Sequence, residues 1–246
     1  MVGLRDKKVV EDLASDRLVL GVAGLPKRGK THLAMTFPEP IFLFNFDKGL
    51  EGTLEKFEGK EIYYEDYEFP SDISPESKRS IYDQFLKDYW DTLINEDKGT
   101  IVIDTFSHVW DLIYTLVLEE IRTKREAHSG KDKVYPFDYA NANAQAESIL
   151  RAVYRKPELN MVVTQRLGPA YDENGNEIPG KYKAKGYKGL PYTCTVYGTL
   201  VVENRKRYYR IEETSFIDKL QDDAVKVYNP TFESIQLVLK DRSEQK

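Results

Sequence analysis

The sequence predicts an α/β fold: a mostly parallel sheet flanked by helices, with an antiparallel hairpin at its edge. Three observations carry this. Short apolar runs alternate with stretches of helical spacing through most of the chain. A glycine-rich octet at residues 24–31 stands between one such run and a helix. The tail pairs two strands across a basic turn, Asn204-Arg-Lys-Arg207. The 246 residues fit one domain with loop insertions. Its core is expected at about 15–215, with the C-terminal hairpin and helix within 197–242.

The elements follow in order. Arg17-Leu-Val-Leu-Gly-Val-Ala-Gly24 is a short apolar run, as a buried parallel strand requires. His32-Leu-Ala-Met-Thr-Phe37 continues as a helix that Pro38 and Pro40 stop. Ile41-Phe-Leu-Phe-Asn-Phe46 is a second buried strand, and Glu61-Ile-Tyr-Tyr64 a short third. Ser74 opens a helix, with Pro75 at its first position. That helix runs to about Asn95 and carries Ile81, Phe85, Tyr89 and Leu93 on one face. Thr100-Ile-Val-Ile-Asp104 is another buried strand. Helices near 107–124 and 138–155 precede the strand Asn160-Met-Val-Val-Thr-Gln165. Tyr197–Glu203 and Arg207–Glu212 form the hairpin. Thr231–Arg242 is a last helix with Phe232, Ile235 and Leu239 facing inward.

The octet Gly24-Leu25-Pro26-Lys27-Arg28-Gly29-Lys30-Thr31 fits G-x-x-x-x-G-K-[ST], a phosphate-binding P-loop. The glycines let the backbone curl so that successive N–H groups face phosphate oxygens. Lys30 then reaches the β- and γ-phosphates and Thr31 offers its hydroxyl to Mg²⁺, with His32 next on the helix. The expected ligands of the octet are therefore phosphate groups and Mg²⁺. Asp104 ends its buried strand where a Walker-B acid belongs, the second metal-shell residue beside Thr31. Thr105 follows it, so no Asp-Glu pair supplies a water-activating carboxylate there. Asp47 and Glu51 are the alternatives, because the strand before them delivers Asn45-Phe-Asp-Lys-Gly-Leu-Glu51 to the sheet's carboxyl edge. Gln165 exits its own strand at that edge as a candidate γ-phosphate sensor.

Composition sets the outer bounds. The net charge of −5 argues against a globally basic nucleic-acid coat, so any such contact needs a local patch. No apolar run approaches the roughly 18 residues of a membrane span. Residues Met1–Lys8 lack the apolar core of a signal peptide. The single Cys194 excludes an internal disulfide and suits a reducing compartment, so a cytoplasmic location is expected. His32, His108 and His128 are scattered, with no zinc spacing. No Gly-x-Ser-x-Gly elbow is present.

Residues 167–191 are read as a long loop without apolar periodicity. Asp172-Glu-Asn-Gly-Asn-Glu177 has the look of a turn. The lysines Lys181, Lys183, Lys185 and Lys188, interleaved with Tyr182 and Tyr187, suit single-stranded DNA: cations for phosphates, rings for bases. Lys124–Lys133 is a companion candidate of mixed charge.

Together, the P-loop, the carboxylate after the next strand, the lone Asp ending a Walker-B strand and the later Thr164-Gln-Arg166 exit resemble the RecA-like P-loop NTPase core. More narrowly, the chain resembles phage-encoded, RecA-related AAA-type nucleotide-binding proteins, some of which act in single-strand annealing and recombination. The resemblance implies ATP and Mg²⁺ binding, a DNA-linked function, self-assembly into a ring or filament, and a host-cytoplasmic location if phage-encoded. It implies that residues 167–191 match the second DNA loop of that group. It also implies that Arg205, Lys206 and Arg207 reach a neighbouring copy's γ-phosphate in trans. The catalytic residue of that group is usually Glu; here Asp47 stands at the matching position, and Asn45 where an Asp is common. Two other classes stay open. A small-molecule P-loop kinase would use an acid after the second strand, although no clear arginine-rich lid follows Asp104. A nucleotide-gated assembly protein would bind ATP and barely turn it over.

Overall fold

The computed structural model describes residues 17–69, 74–129, 139–215 and 225–243. The strands are β1 (Val19–Gly24), β2 (Ile41–Asn45), β3 (Ile62–Asp66), β4 (Lys98–Asp104), β5 (Glu158–Tyr171), β6 (Glu177–Ala184), β7 (Val196–Glu203), β8 (Lys206–Thr214) and β9 (Val225–Tyr228). They form one mixed sheet in the order β3-β2-β4-β5-β1-β7-β8-β9, with β6 paired to β5 off that path. From β3 through β7 every neighbouring pair is parallel; β7–β8, β8–β9 and β5–β6 are antiparallel. This is the predicted α/β architecture, with a broader antiparallel edge than one hairpin.

The helices are α1 (Lys30–Ala34), α2 (Glu51–Leu54), α3 (Pro75–Asn95), α4 (Phe106–Ser129), α5 (Tyr139–Ala152), α6 (Leu190–Thr193) and α7 (Phe232–Ser243). Strand alternation sorts the apolar residues into two layers. Val19, Ile101, Ile103, Met161 and Val163 pack on one face with Phe85 and Tyr89 of α3, Val109 and Ile113 of α4 and Ile149 of α5. Leu20, Val22, Leu43, Val102 and Val162 pack on the other with Leu33 of α1 and Ile235 and Leu239 of α7. Both faces of the central strands are covered, which is why those strands read as continuous apolar runs rather than as alternating ones.

Local signals account for several boundaries. The Ser74 hydroxyl accepts from the Ser77 backbone N–H and caps α3. On that helix Tyr82, Phe85, Tyr89 and Leu93 are buried, while Ile81 is only half-buried. Asn204 and Arg205, with φ of 49° and 61°, make the two-residue turn between β7 and β8. That pattern of two left-handed residues matches the twist of a tight hairpin. The turn is thus shorter than the 204–207 expected, and Lys206 and Arg207 belong to β8.

Three expectations need correction. Helix α1 is five residues long and ends at Ala34, giving way to tight turns before Phe37, where the sequence predicts helix. Residues 167–191 are not a structureless loop. β5 runs on to Tyr171 and returns as β6, with Leu167 opposite Ala184 and Gly168 opposite Lys183. The apolar pattern ends at the sheet edge because the hairpin projects beyond the core, but backbone pairing continues. Finally, β9, α2 and α6 were not foreseen; each is four residues long, too short for a periodic signal. Among the described residues no helix is long and apolar enough to cross a membrane.

Candidate functional site

The parallel strands end together at one edge of the sheet. Register places Asn45 of β2 beside Asp104 of β4, and Gly24 of β1 beside Arg166 of β5. β5 lies between β4 and β1, so the chain leaves these strand ends in opposite directions and opens a crevice there. A cavity of about 740 Å³ occupies the crevice, lined by the octet, Asp47, Asp104, Arg205 and Arg207 among others.

The octet is folded as its residue types require. Lys27 and Gly29 hold positive φ, and Gly29, at 95°, sits under Arg207. A Cβ on Gly29 would stand 2.3 Å from Arg207 Nη1, the movable end of a long side chain, so it is the backbone angle that demands glycine. Lys30 is buried, and its Nζ donates to the carbonyls of Gly24 and Leu25 at 3.2 Å each. Burial pushes the Lys30 ammonium down, while Asp104 and Asp47 pull it back toward the charged form. Asp104 is buried, and that pushes its carboxyl up; hydroxyl donors from Thr164 and Thr31, then Lys30, oppose the shift. Thr31 Oγ1 donates to one Asp104 oxygen and Thr164 Oγ1 to the other. His32 is pushed down by burial and by the charges of Arg207 and Lys56, and its ring meets Phe57 edge-on at 5.0 Å.

These donors fit a Mg²⁺ ion that arrives with a nucleotide. A hydroxyl and a carboxylate adjoin at the cavity floor. Among the described residues no cluster of three or more His, Cys, Asp or Glu forms an all-protein metal cage. A small hard cation that keeps waters and shares phosphate oxygens needs no such cage.

Asp47 stands across the cavity from the octet. Its backbone N–H donates to Asn45 Oδ1 at 3.2 Å, and its carbonyl accepts from Asn45 Nδ2 at 2.8 Å. Buried Asn45 also donates to Asp66, so the position noted as unusual for Asn builds the turn that presents Asp47. The Asp47 carboxylate is taken by Arg166, whose Nη2 lies 2.7 Å from Oδ1. The side chain of Glu51 lies outside the described residues; its backbone opens α2.

Gln165 does not line the cavity over the octet. It is buried, donates to the Tyr187 carbonyl at 3.0 Å and accepts from the Tyr197 hydroxyl at 3.0 Å. The reason is strand parity. Gln165 shares a side with Met161 and Val163, which face α3–α5, whereas Thr164 and Arg166 share a side with Val162, which faces α1. Sequence reading therefore missed Thr164 and Arg166, the two neighbours of the residue it chose. The signal was present: β5 needed to be aligned so that its polar exit shared a face with Asp104.

The hairpin redistributes the proposed DNA contacts. Lys181, Tyr182, Lys183, Lys185 and Lys188 are exposed. Along β6, alternation sets Lys181 and Lys183 on one side and Tyr182 on the other, where its ring borders a cleft with Leu25, Arg28 and Val202. Tyr187 is not available for a base: it is buried against Phe106 and Trp110. At the hairpin tip, Asp172 accepts from the N–H groups of Asn174 and Asn176, as the Asp-Glu-Asn-Gly-Asn run implied. Of the companion segment, Lys124–Ser129 continues α4 and residues 130–133 lie outside the described residues. Arg205 and Arg207 line the cavity of their own chain, and Arg207 overlies Gly29 of the octet; reach to a neighbouring copy stays an expectation. The tight turn starts β8 early and swings Arg207 back over Gly29.

A search of curated proteins found no match. Among solved structures, that of the RadB recombinase is similar, at 14% identity over 87% of each chain and a TM-score of 0.47. A family model described as an AAA domain matches residues 16–219. That stretch holds every strand from β1 to β8 and the whole phosphate cavity except Asn229, and the chain belongs to this AAA-domain family.

Proposed function

We propose that this protein binds ATP with Mg²⁺ at the octet, hydrolyses it, and couples turnover to single-stranded DNA gripped by the β5–β6 hairpin. One observation carries the reading: Lys30, Thr31 and Asp104 converge on one cavity with Asp47 opposite them. Mg²⁺ would supply charge neutralisation on the phosphates. Lys30 holds the β- and γ-phosphate oxygens, and the 24–31 backbone cradles the rest. Arg207 adds a cation in cis where negative charge grows during phosphoryl transfer. Asp47, once free of Arg166, orients the attacking water and accepts its proton. The hairpin begins on the same strand that carries Thr164 and Arg166, which supports a link between nucleotide and DNA. Assembly into a ring or filament, and service in phage-type recombination, annealing or replication, complete the reading.

The ion pair on Asp47 also favours a second reading, a nucleotide-gated assembly protein with little hydrolysis. One assay separates them and tests the kinase class: ADP release measured alone, with single-stranded DNA, and with nucleosides. The ATPase reading expects stimulation by DNA alone. Stimulation by a nucleoside would make the protein a kinase, and ATP binding without release under any condition would favour gating.

A further inference from the structure

Asp47 borders two cavities. One is the phosphate cavity. The other, about 660 Å³, shares Asn45, Asp47 and Lys48 with the first and is lined besides by Arg166, His108, Tyr67, Phe69 and Asp66. Asp47 lines both and its ion-pair partner Arg166 lines the second, both side chains about one-third exposed. The Arg166 Cα lies beside Gly24, the first residue of the octet. Its charge already acts on Lys30.

The backbone of Arg166 is equally placed. Its N–H donates to Ser107 Oγ at 3.0 Å, at the start of α4. Its carbonyl accepts from Lys185 N–H at 2.8 Å, closing the base of the β5–β6 hairpin. The Ser107 hydroxyl donates onward to the Lys185 carbonyl at 2.8 Å. One residue thus joins the acid, the octet's strand and the hairpin.

We infer that Arg166 exchanges partners with the nucleotide state, holding Asp47 when no terminal phosphate is present and moving to that phosphate when ATP binds. This rests on the ATP reading above and deepens it. A guanidinium matches a phosphate oxygen pair as well as a carboxylate, and a γ-phosphate carries more charge than Asp47. The exchange would release Asp47 for water and shift the hairpin's base in the same movement. ADP lacks the phosphate that competes, so it would leave the ion pair closed. Arg166 is in this account a positioning residue for Asp47 and a direct ligand of ATP only.

The test compares ATP, as a slowly hydrolysed analogue, with ADP in equilibrium binding to the full chain. Arg166→Ala should weaken analogue binding by about tenfold, the loss expected for one charge-assisted hydrogen bond. ADP affinity should stay unchanged and serves as the check on folding. Arg166→Lys should recover part of the loss. Asp47→Asn, which removes the competing charge, should tighten the analogue several-fold and leave ADP as it was. Limited proteolysis should show the 167–188 hairpin protected by the analogue but not by ADP, and Arg166→Ala should abolish that difference. An analogue-to-ADP affinity ratio unmoved by all three substitutions would overturn the inference while the ATP reading stood. Absence of binding of either nucleotide to the wild type would overturn both.

Discussion

Asp104 accepts from Thr31 and Thr164 and sits within electrostatic reach of Lys30; these three groups oppose, without cancelling, the upward push of burial on its carboxyl. Replacing it by Asn keeps the shape but removes the charge a cation needs. Asp104→Asn should therefore weaken nucleotide binding by about tenfold or more in Mg²⁺ and by far less in EDTA. Equal losses in both buffers would deny Asp104 a metal role. Arg207 carries a second prediction. Because it overlies Gly29 of its own chain, Arg207→Ala should weaken ATP binding by about tenfold even in dilute, monomeric protein. An effect seen only after assembly would restore the trans arrangement. Lys30 and Thr31 were legible in the sequence because the octet's spacing fixes them, and Asp104 because it ends an apolar strand. Arg166 was not, because choosing between Gln165 and its neighbours requires the face of β5, and period-2 alternation gives that only once register with β4 is known.

At the scale of elements, the β5–β6 hairpin is where the proposed DNA contact is tested. The strand places Lys181 and Lys183 together on one side, with Lys185 just past its end. If each neutralises one phosphate, log affinity should fall with log salt at about −0.7 per contact on single strands. Substituting all three lysines should flatten that slope by about two units. Tyr182 acts from the opposite side, so Tyr182→Ala should cost roughly 1–3 kcal/mol without changing the slope if a base stacks there. Loss of affinity and slope together in Tyr182→Ala would mean the hairpin itself had been disturbed. Helix α3 was readable almost to the residue because it carries a cap, a proline and a repeating apolar face. The hairpin was read as a loop because its exposed strands have no buried face, and only burial produces an apolar period.

Among the described residues the central strands are covered on both faces by helices, and one thiol reports on that packing. Cys194 is partly exposed as a residue, but its sulfur is enclosed against Gly21 and Tyr197, and burial pushes the thiol up to about 12. The thiolate is the reactive species, so at pH 8 the native protein should label with a thiol reagent orders of magnitude more slowly than the unfolded chain. The sign follows: a folded value above the unfolded one of about 8.5 means this contribution is complete below pH 8.5 and fades as pH rises toward 12. Fast labelling at pH 8 without unfolding would show that the sheet opens locally at β7. The parallel core was legible at this scale because fully buried strands are apolar throughout. The short β9, α2 and α6 were not, and they are held by tertiary contact rather than by local pattern. The central claim is that the cavity over residues 24–31 is an ATP site. Calorimetric titration of ATP with Mg²⁺ into wild type and Lys30→Ala, with both melting curves recorded, tests it most directly. Saturable one-site binding that disappears in an equally well-folded Lys30→Ala is the expected result. Equal binding by the two proteins, or none by wild type, would contradict it.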